Sequence, residues 1–280
     1  MISKFAAAAL AACFLFAAGT GPVAASETSA VKQTVRTWLD RANKGDAAGL
    51  FALLTEDGSI IDEFAPFGWD SFKTWGNDYG TDNTQNGVVP KATTILKFDH
   101  VNIDGANAYA VAAVTYSYKQ RDKTKIEHGT EVFTLEKHEK GWLINSFSWL
   151  SKGGVDQGAD AMAIIGAAQR FASMKPDSAP PPTAIVDEFA PYHWHGASAN
   201  ADWFAALQQF SAKEGIAYTG IELAAPAHLN ISGDTGYAVF PTTITYTLHG
   251  KPGSEHGNFA FTLEKSAGAW HIASWVWAKR

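Results

Sequence analysis

Two acidic pairs are the first residues in this chain with the makings of chemistry. Asp62-Glu63 precedes Phe64-Ala65-Pro66, and Asp187-Glu188 precedes Phe189-Ala190-Pro191. Ser59 to Phe64 reads as a strand, and adjacent strand residues point to opposite faces, so one member of each pair can enter a pocket. Desolvation in an apolar cavity would raise that carboxyl's pKa and make its carboxylate a stronger base. At a strand end the same acid would be solvated or bonded to nearby backbone, and both readings are open. His128 and His256 stand beside Glu127 and Glu255, and a neutral imidazole can donate one hydrogen bond while accepting another. A satisfied histidine at a strand edge is the competing reading. His193-Trp194-His195, if extended, puts two imidazoles on one face, with His271 as a conceivable third metal ligand. The matching stretch earlier in the chain is Phe67-Gly68-Trp69-Asp70, so a pair of loop histidines is preferred and neither metal nor cofactor is expected. Signatures for phosphate-binding loops, dinucleotide binding, serine triads and zinc proteases are missing from the sequence, leaving nucleotide, hydride and peptidase chemistry without support.

These residues occur twice because the chain repeats itself. Glu127-His128-Gly129 and Phe133-Thr134-Leu135-Glu136-Lys137 recur as Glu255-His256-Gly257 and Phe261-Thr262-Leu263-Glu264-Lys265. Between 127–152 and 255–280, a shift of 128, 12 of 26 positions are identical without a gap. The same shift pairs His100 with His228, Tyr109 with Tyr237 and Trp75 with Trp203. Two units are too few for a solenoid. The expected domains are 27–152 and 155–280, with Gly153-Gly154 between them.

Each unit has a helical part and then a run of strands. Val31, Val35, Trp38, Leu39 and Ala42 share a helical face. Gly45 suits its end, and Asp46 suits the cap of a second short helix through Leu50, Phe51 and Leu54. Asp57-Gly58 reads as a turn, and a third helix carrying Phe72, Trp75 and Tyr79 follows an Asp70 cap. Thr93–Ile103, Ala108–Lys119, Glu127–His138 and Trp142–Trp149 are rich in β-branched and aromatic residues and read as a meander. In the second unit Met162, Ile165 and Phe171 mark the first helix. Pro176 and Pro180-Pro181-Pro182 replace the second, since such a run cannot lie inside a helix. The fold class is α+β, with helices packed on one face of a sheet.

The first 25 residues read as a secretory signal: Lys4, an apolar stretch from Phe5 to Ala18, and small residues at Val23-Ala24-Ala25. Leu10-Ala11-Ala12-Cys13 resembles a lipidation motif, but Phe14-Leu15-Phe16 continue the apolar run, which disfavours a lipid anchor at Cys13. Cys13 is the single cysteine, so cleavage after Ala25 removes disulfides and thiol chemistry from the mature chain. Losing Lys4 from the 22 basic residues leaves 21 against 28 acidic ones, a net charge of −7. That balance argues against nucleic acid or an anionic membrane as partner. The expected location is periplasmic or secreted.

Short helix, Gly-Asp, second helix, acidic strand, third helix and long meander resemble the nuclear transport factor 2-like superfamily, which includes ketosteroid isomerase-like (SnoaL-like) domains. The resemblance covers both units. In the second it rests on Ile185 to Pro191, Trp194, Gly196, Pro241-Thr242-Thr243 and Trp275 to Trp277. It implies two cone-shaped rolls, each a curved antiparallel sheet with helices enclosing an apolar pocket, paired through their sheets as a pseudo-dimer within a monomer. It also implies that Asp187 or Glu188, and Asp62 or Glu63, match the general base of the isomerases. No tyrosine stands on either first helix to complete that site, and His256 and His128 are the substitute partners. Trp69, Trp149, Trp194 and Trp277, with Tyr109 and Tyr237, are the aromatic candidates for lining a pocket, with core packing the other reading. The leading functional expectation is a small-molecule ligand, apolar or of mixed polarity. A cofactor-independent isomerase, cyclase or hydratase and a purely structural interaction domain are the alternatives.

Overall fold

Val31, Val35, Trp38 and Leu39 form one buried stripe along α1 (Pro22–Lys44), while Ala42, one turn further, is exposed. The computed structural model describes residues 22–173 and 180–280, so Cys13, the apolar leader and Pro176 lie outside the described residues. Gly45, at φ 69°, ends α1, and the Asp46 carboxylate accepts from the Gly49 amide to cap α2 (Ala47–Phe51). Ser71, not Asp70, is the N-cap of α3 (Phe72–Asn86), and its side chain makes no capping bond.

Six strands follow from the β-rich stretches: β1 (Leu54–Ile61), β2 (Gly68–Trp69), β3 (Val88–Asp104), β4 (Asn107–Gln120), β5 (Lys123–His138) and β6 (Gly141–Ser151). Their order is β2-β1-β6-β5-β4-β3. The meander is antiparallel, but β1 runs parallel to β6, so the sheet is mixed. Asp57-Gly58 is no turn. It lies inside β1 where the register shifts, and a Cβ on Gly58 would collide with the Phe72 ring.

The second roll repeats the plan with α4 (Ala159–Ala172), β7 (Ala184–Val186), β8 (His193–His195), α5 (Ala199–Glu214), β9 (Ile216–Leu223), β10 (His228–Ser232), β11 (Thr235–Leu248), β12 (Lys251–Ser266) and β13 (Ala269–Lys279). The order β10-β11-β12-β13-β7-β8 matches the first sheet, with β9 pairing the far half of β11. Among the described residues no helix separates α4 from β7; Pro180-Pro181-Pro182 leads into the strand instead. The buried stripe of α4 is Ala161, Ile164, Ala167 and Ala168, which leaves Met162 outside.

Each roll has its own core, and a third apolar cluster lies between them. Ile61, Phe67, Tyr109, Val111, Val132 and Leu150 from the first roll meet Val186, Tyr192, Tyr237, Val239, Ala260, Val276 and Ala278 from the second. Sheet packs on sheet. The Tyr109 hydroxyl donates to the Trp277 carbonyl at 2.7 Å, and Tyr237 donates to the Trp149 carbonyl at the same distance. Asn102 donates to the Glu188 carbonyl and Asn230 to the Glu63 carbonyl, again as a related pair. The contact is therefore close to two-fold symmetric inside one chain. No helix among the described residues is long and apolar enough to cross a membrane.

Candidate functional site

Both acidic pairs sit one step beyond their strands, because β1 ends at Ile61 and β7 at Val186. Each begins a turn closed by a backbone bond from the aspartate amide to Phe67 or Tyr192. The two aspartates make the same contacts. Asp62 accepts from the Trp75 indole and Asp187 from the Trp203 indole, both at 2.9 Å, and each also accepts from the amide of the following glutamate. Burial outweighs these bonds and raises the carboxyls, Asp62 to about 6 and Asp187 to about 7.

The glutamates have different partners in the two rolls. Glu63 accepts from Ser151, which also meets the His228 imidazole at 2.8 Å, and burial pushes Glu63 up to about 7. Glu188 instead pairs with Lys279 at 2.7 Å, and the same ammonium reaches Glu255 at 2.8 Å. Lys279 occupies the repeat position of Ser151, so the two acid clusters have diverged.

The second roll holds a cleft-like cavity of about 580 Å³, partly open to solvent. Its walls come from α4 (Phe171), the proline run, α5 (Trp203, Phe204, Leu207), β9 (Tyr218, Ile221), β11 (Ile244), β12 (Phe259) and β13 (Trp270, Trp275). Asp187, Glu188 and Glu255 also line it. Glu255 is raised to about 7 by burial and by the neighbouring Glu188 charge. Two polar atoms of wall residues, Trp275 Nε1 and His271 Nδ1, are buried without a hydrogen-bond partner. An apolar chamber of this size with a few convergent polar groups has the proportions of a small-molecule site.

The first roll carries different side chains at the corresponding positions. At the 128-residue shift, Leu207 and Ile244 replace Tyr79 and Tyr116, whose hydroxyls meet at 2.9 Å. Phe259 replaces Glu131, a buried carboxyl with one oxygen unpartnered, pushed up to about 8 by burial.

His256 and His128 are exposed and do not face the acids across a pocket. His256 meets Thr243 on the other side of the sheet. Strand alternation is the reason: Phe259, Phe261 and Leu263 face the core, which places Glu255 inward and His256 outward. Tyr218 and Glu255 are among the wall residues that sequence reasoning missed, as are the aromatics Phe171, Trp203, Phe259 and Trp275. The parity of Phe259 and Phe261 was the signal for Glu255; none marked Tyr218. The glycine of the repeated Glu-His-Gly is steric, since a Cβ on Gly129 or Gly257 would collide with the Trp149 or Trp277 ring.

The expected ligand-lining aromatics are elsewhere too. Trp69 and Trp149 pack in the first core, and Trp194 and Trp277 in the second. Tyr109 and Tyr237 belong to the contact between rolls. None of the six is in the cavity wall, because their side chains face core or interface. His193 and His195 stand on strand β8 and not in a loop, their rings stacked at 6.0 Å on one face. His193 meets Ser59 and His195 meets Asp70, while His271 is in the cavity wall. Among the described residues no group of three could hold a metal.

No protein-family model matches the chain, and no curated protein matches it. Among solved structures, the chain is similar to a ketosteroid isomerase-like protein from Erwinia carotovora atroseptica, with 14% identity, 46% of this chain and 98% of that one covered, and a TM-score of 0.40. It is also similar to a nuclear transport factor 2-like protein with a cystatin-like fold from Novosphingobium aromaticivorans, with 15% identity, 51% and 91% covered, and a TM-score of 0.39. A function-unknown protein from Mycobacterium tuberculosis shares 19% identity, with 53% and 90% covered and a TM-score of 0.40. Each is spanned over nearly its whole length by about half of this chain.

Proposed function

We propose that the second roll binds a small molecule, apolar over most of its surface, and that the first roll serves as its packing partner. The observation that supports this is the cavity itself: about 580 Å³, walled by Phe171, Trp203, Tyr218, Phe259 and Trp275, with carboxyl groups included in the wall. We include export in the reading, on the strength of the N-terminal leader, with a mature protein in the periplasm or medium. Glu27, just beyond the expected cleavage point, holds Lys137 and Trp142, so processing after Ala25 would keep those bonds.

Native mass spectrometry of the chain purified without denaturation tests the binding. The expected result is an added mass that disappears in Leu207→Tyr/Ile244→Tyr, which installs the tyrosine pair of the first roll. A chain that carries no added mass and binds no apolar probe, before or after the double substitution, would contradict the reading.

A second reading, acid–base catalysis, is favoured by Asp187. Its carboxyl lies in the cavity wall and is raised to about 7, so it can take up and release a proton near neutrality. Tyr218, in the same wall, is a hydroxyl donor that could serve a developing oxyanion. Asp187→Asn keeps the shape and removes the base. Under this reading, turnover of a substrate found for the cavity falls by at least a hundredfold while its binding persists. Equal turnover in the variant would refute it.

A further inference from the structure

The polar wall of the cavity carries three carboxyl groups and one guanidinium, that of Arg170. The carboxyls are those of Asp187, Glu188 and Glu255, and Lys279 is the ammonium held between two of them. Among the described residues the donors to Asp187 are neutral, the Trp203 indole and the Glu188 amide. Around this cluster stand aromatic faces: Trp203 meets Trp275 edge-on at 5.1 Å, Phe171 and Phe259 each lie 5.5 Å from Trp275, and Tyr218 contributes its ring. Carboxylates and π-faces both attract a cation, most strongly where water is excluded. An anion would meet the three carboxyls, and a neutral apolar molecule would leave Asp187 with neutral partners alone.

We propose that the cavity selects a lipophilic amine, with one cationic nitrogen seated against Asp187, Glu188 and Glu255 and an apolar body against the aromatic wall. The inference rests on the reading of the cavity as a ligand site and adds the chemical class. The other titratable groups around the cluster are Arg170 from α4, which has a partner of its own, Tyr218 from β9 and His271 from β13. From the first roll, His100 and Tyr109 approach the same charges. Asp187 and Glu255, both raised to about 7, are the groups that gain protons as the solution is acidified from neutrality. Attraction for a cation must therefore weaken below neutral pH.

Three rigid probes of one shape separate the possibilities: 1-aminoadamantane, 1-adamantanol and adamantane-1-carboxylate, titrated calorimetrically into the purified chain. At pH 7.5 the amine should bind at least about tenfold more tightly than the alcohol, and the carboxylate more weakly than either. At pH 5.5, where the amine is still charged, its advantage should shrink toward unity. Asp187→Asn/Glu255→Gln should remove most of the advantage at pH 7.5, and the pH titration of the unaltered chain stands if that variant folds poorly. Equal binding of amine and alcohol, or preference for the carboxylate, would overturn the amine assignment and leave the cavity reading intact. Failure of all three, with the Leu207→Tyr/Ile244→Tyr chain behaving the same, would overturn both.

Discussion

Glu131 shows how far one residue can depart from its repeat partner. It occupies the core-facing position that Phe259 fills in the second roll, and one of its oxygens is buried without a partner. With its carboxyl raised from the usual 4.5 to about 8, the folded state holds a proton that the unfolded chain releases. Its stabilising effect is complete below about 4.5 and is lost as pH rises through 8, with a limiting slope of about 1.4 kcal/mol per pH unit for one proton. Glu131→Gln cannot ionise. We expect it to be no more stable than the native chain at pH 5 and clearly more stable at pH 9, by urea denaturation at both. An unchanged slope between those values would show that Glu131 is ionised in the fold. At this scale the sequence was partly legible. The acidic pairs were marked by their recurrence, and Asp187 does reach the cavity wall. Their exact placement was not, because the first strand ends at Ile61 rather than Phe64 and its counterpart at Val186, each just before the aspartate, and the turn rather than the pleat separates aspartate from glutamate. The histidines were misplaced because their chemistry was weighed before the parity of their strand. Trp149 and Trp277 recur because a repeated glycine receives their rings, a reason that requires coordinates to see.

Elements were easier to read than side chains. Runs of β-branched and aromatic residues gave β4, β5 and β6 to within a few residues, since each buries a face over much of its length. By contrast, β3 begins five residues before the expected Thr93, in a stretch with no buried residue. Asp46 and Gly45 marked the ends of two helices through local backbone needs, and local needs are what a sequence states most directly. Short strands were hidden: β2 has two residues and β8 three, too few for any period, and both exist because β1 and β7 offer them a partner. The proline run was legible as a lost helix, and its consequence is the cover over the cavity, with Pro180, Pro181 and Pro182 all in the wall. Proline restricts the chain before a ligand arrives, so the cover costs little further entropy on binding. Pro180→Gly/Pro181→Gly/Pro182→Gly should raise the dissociation rate of a cavity ligand several-fold, measured by stopped-flow fluorescence, while the far-ultraviolet dichroism is preserved. An unaltered rate would mean that release does not pass beneath this segment.

The whole molecule behaves as a dimer whose halves cannot dilute apart. Joining two surfaces on one chain makes their association intramolecular, so a contact too weak for free subunits can persist. The contact found here is apolar at its centre and carries reciprocal hydrogen bonds at Tyr109 and Tyr237, both buried. The linker supports it as well: Gly153 donates to the Ala227 carbonyl, and its missing side chain leaves room for the His228 ring. An interface this continuous with both cores should couple their unfolding. Calorimetry of the native chain should then show one transition whose van't Hoff and calorimetric enthalpies agree. Tyr109→Phe and Tyr237→Phe each strip a buried carbonyl of its donor, at a cost of about 1–3 kcal/mol. Their shapes are otherwise kept, so the single transition should move to lower temperature without splitting. Val111→Lys/Val239→Lys goes further, placing two like charges in the apolar centre where neither has a partner. If the interface is what couples the rolls, that variant should unfold in two steps, the second roll's step responding to a cavity ligand and the first roll's not. Two steps in the native chain would show that the interface does not couple the rolls and that fusion serves only to hold them together, and a ligand-independent second step in the variant would count against the cavity as a ligand site.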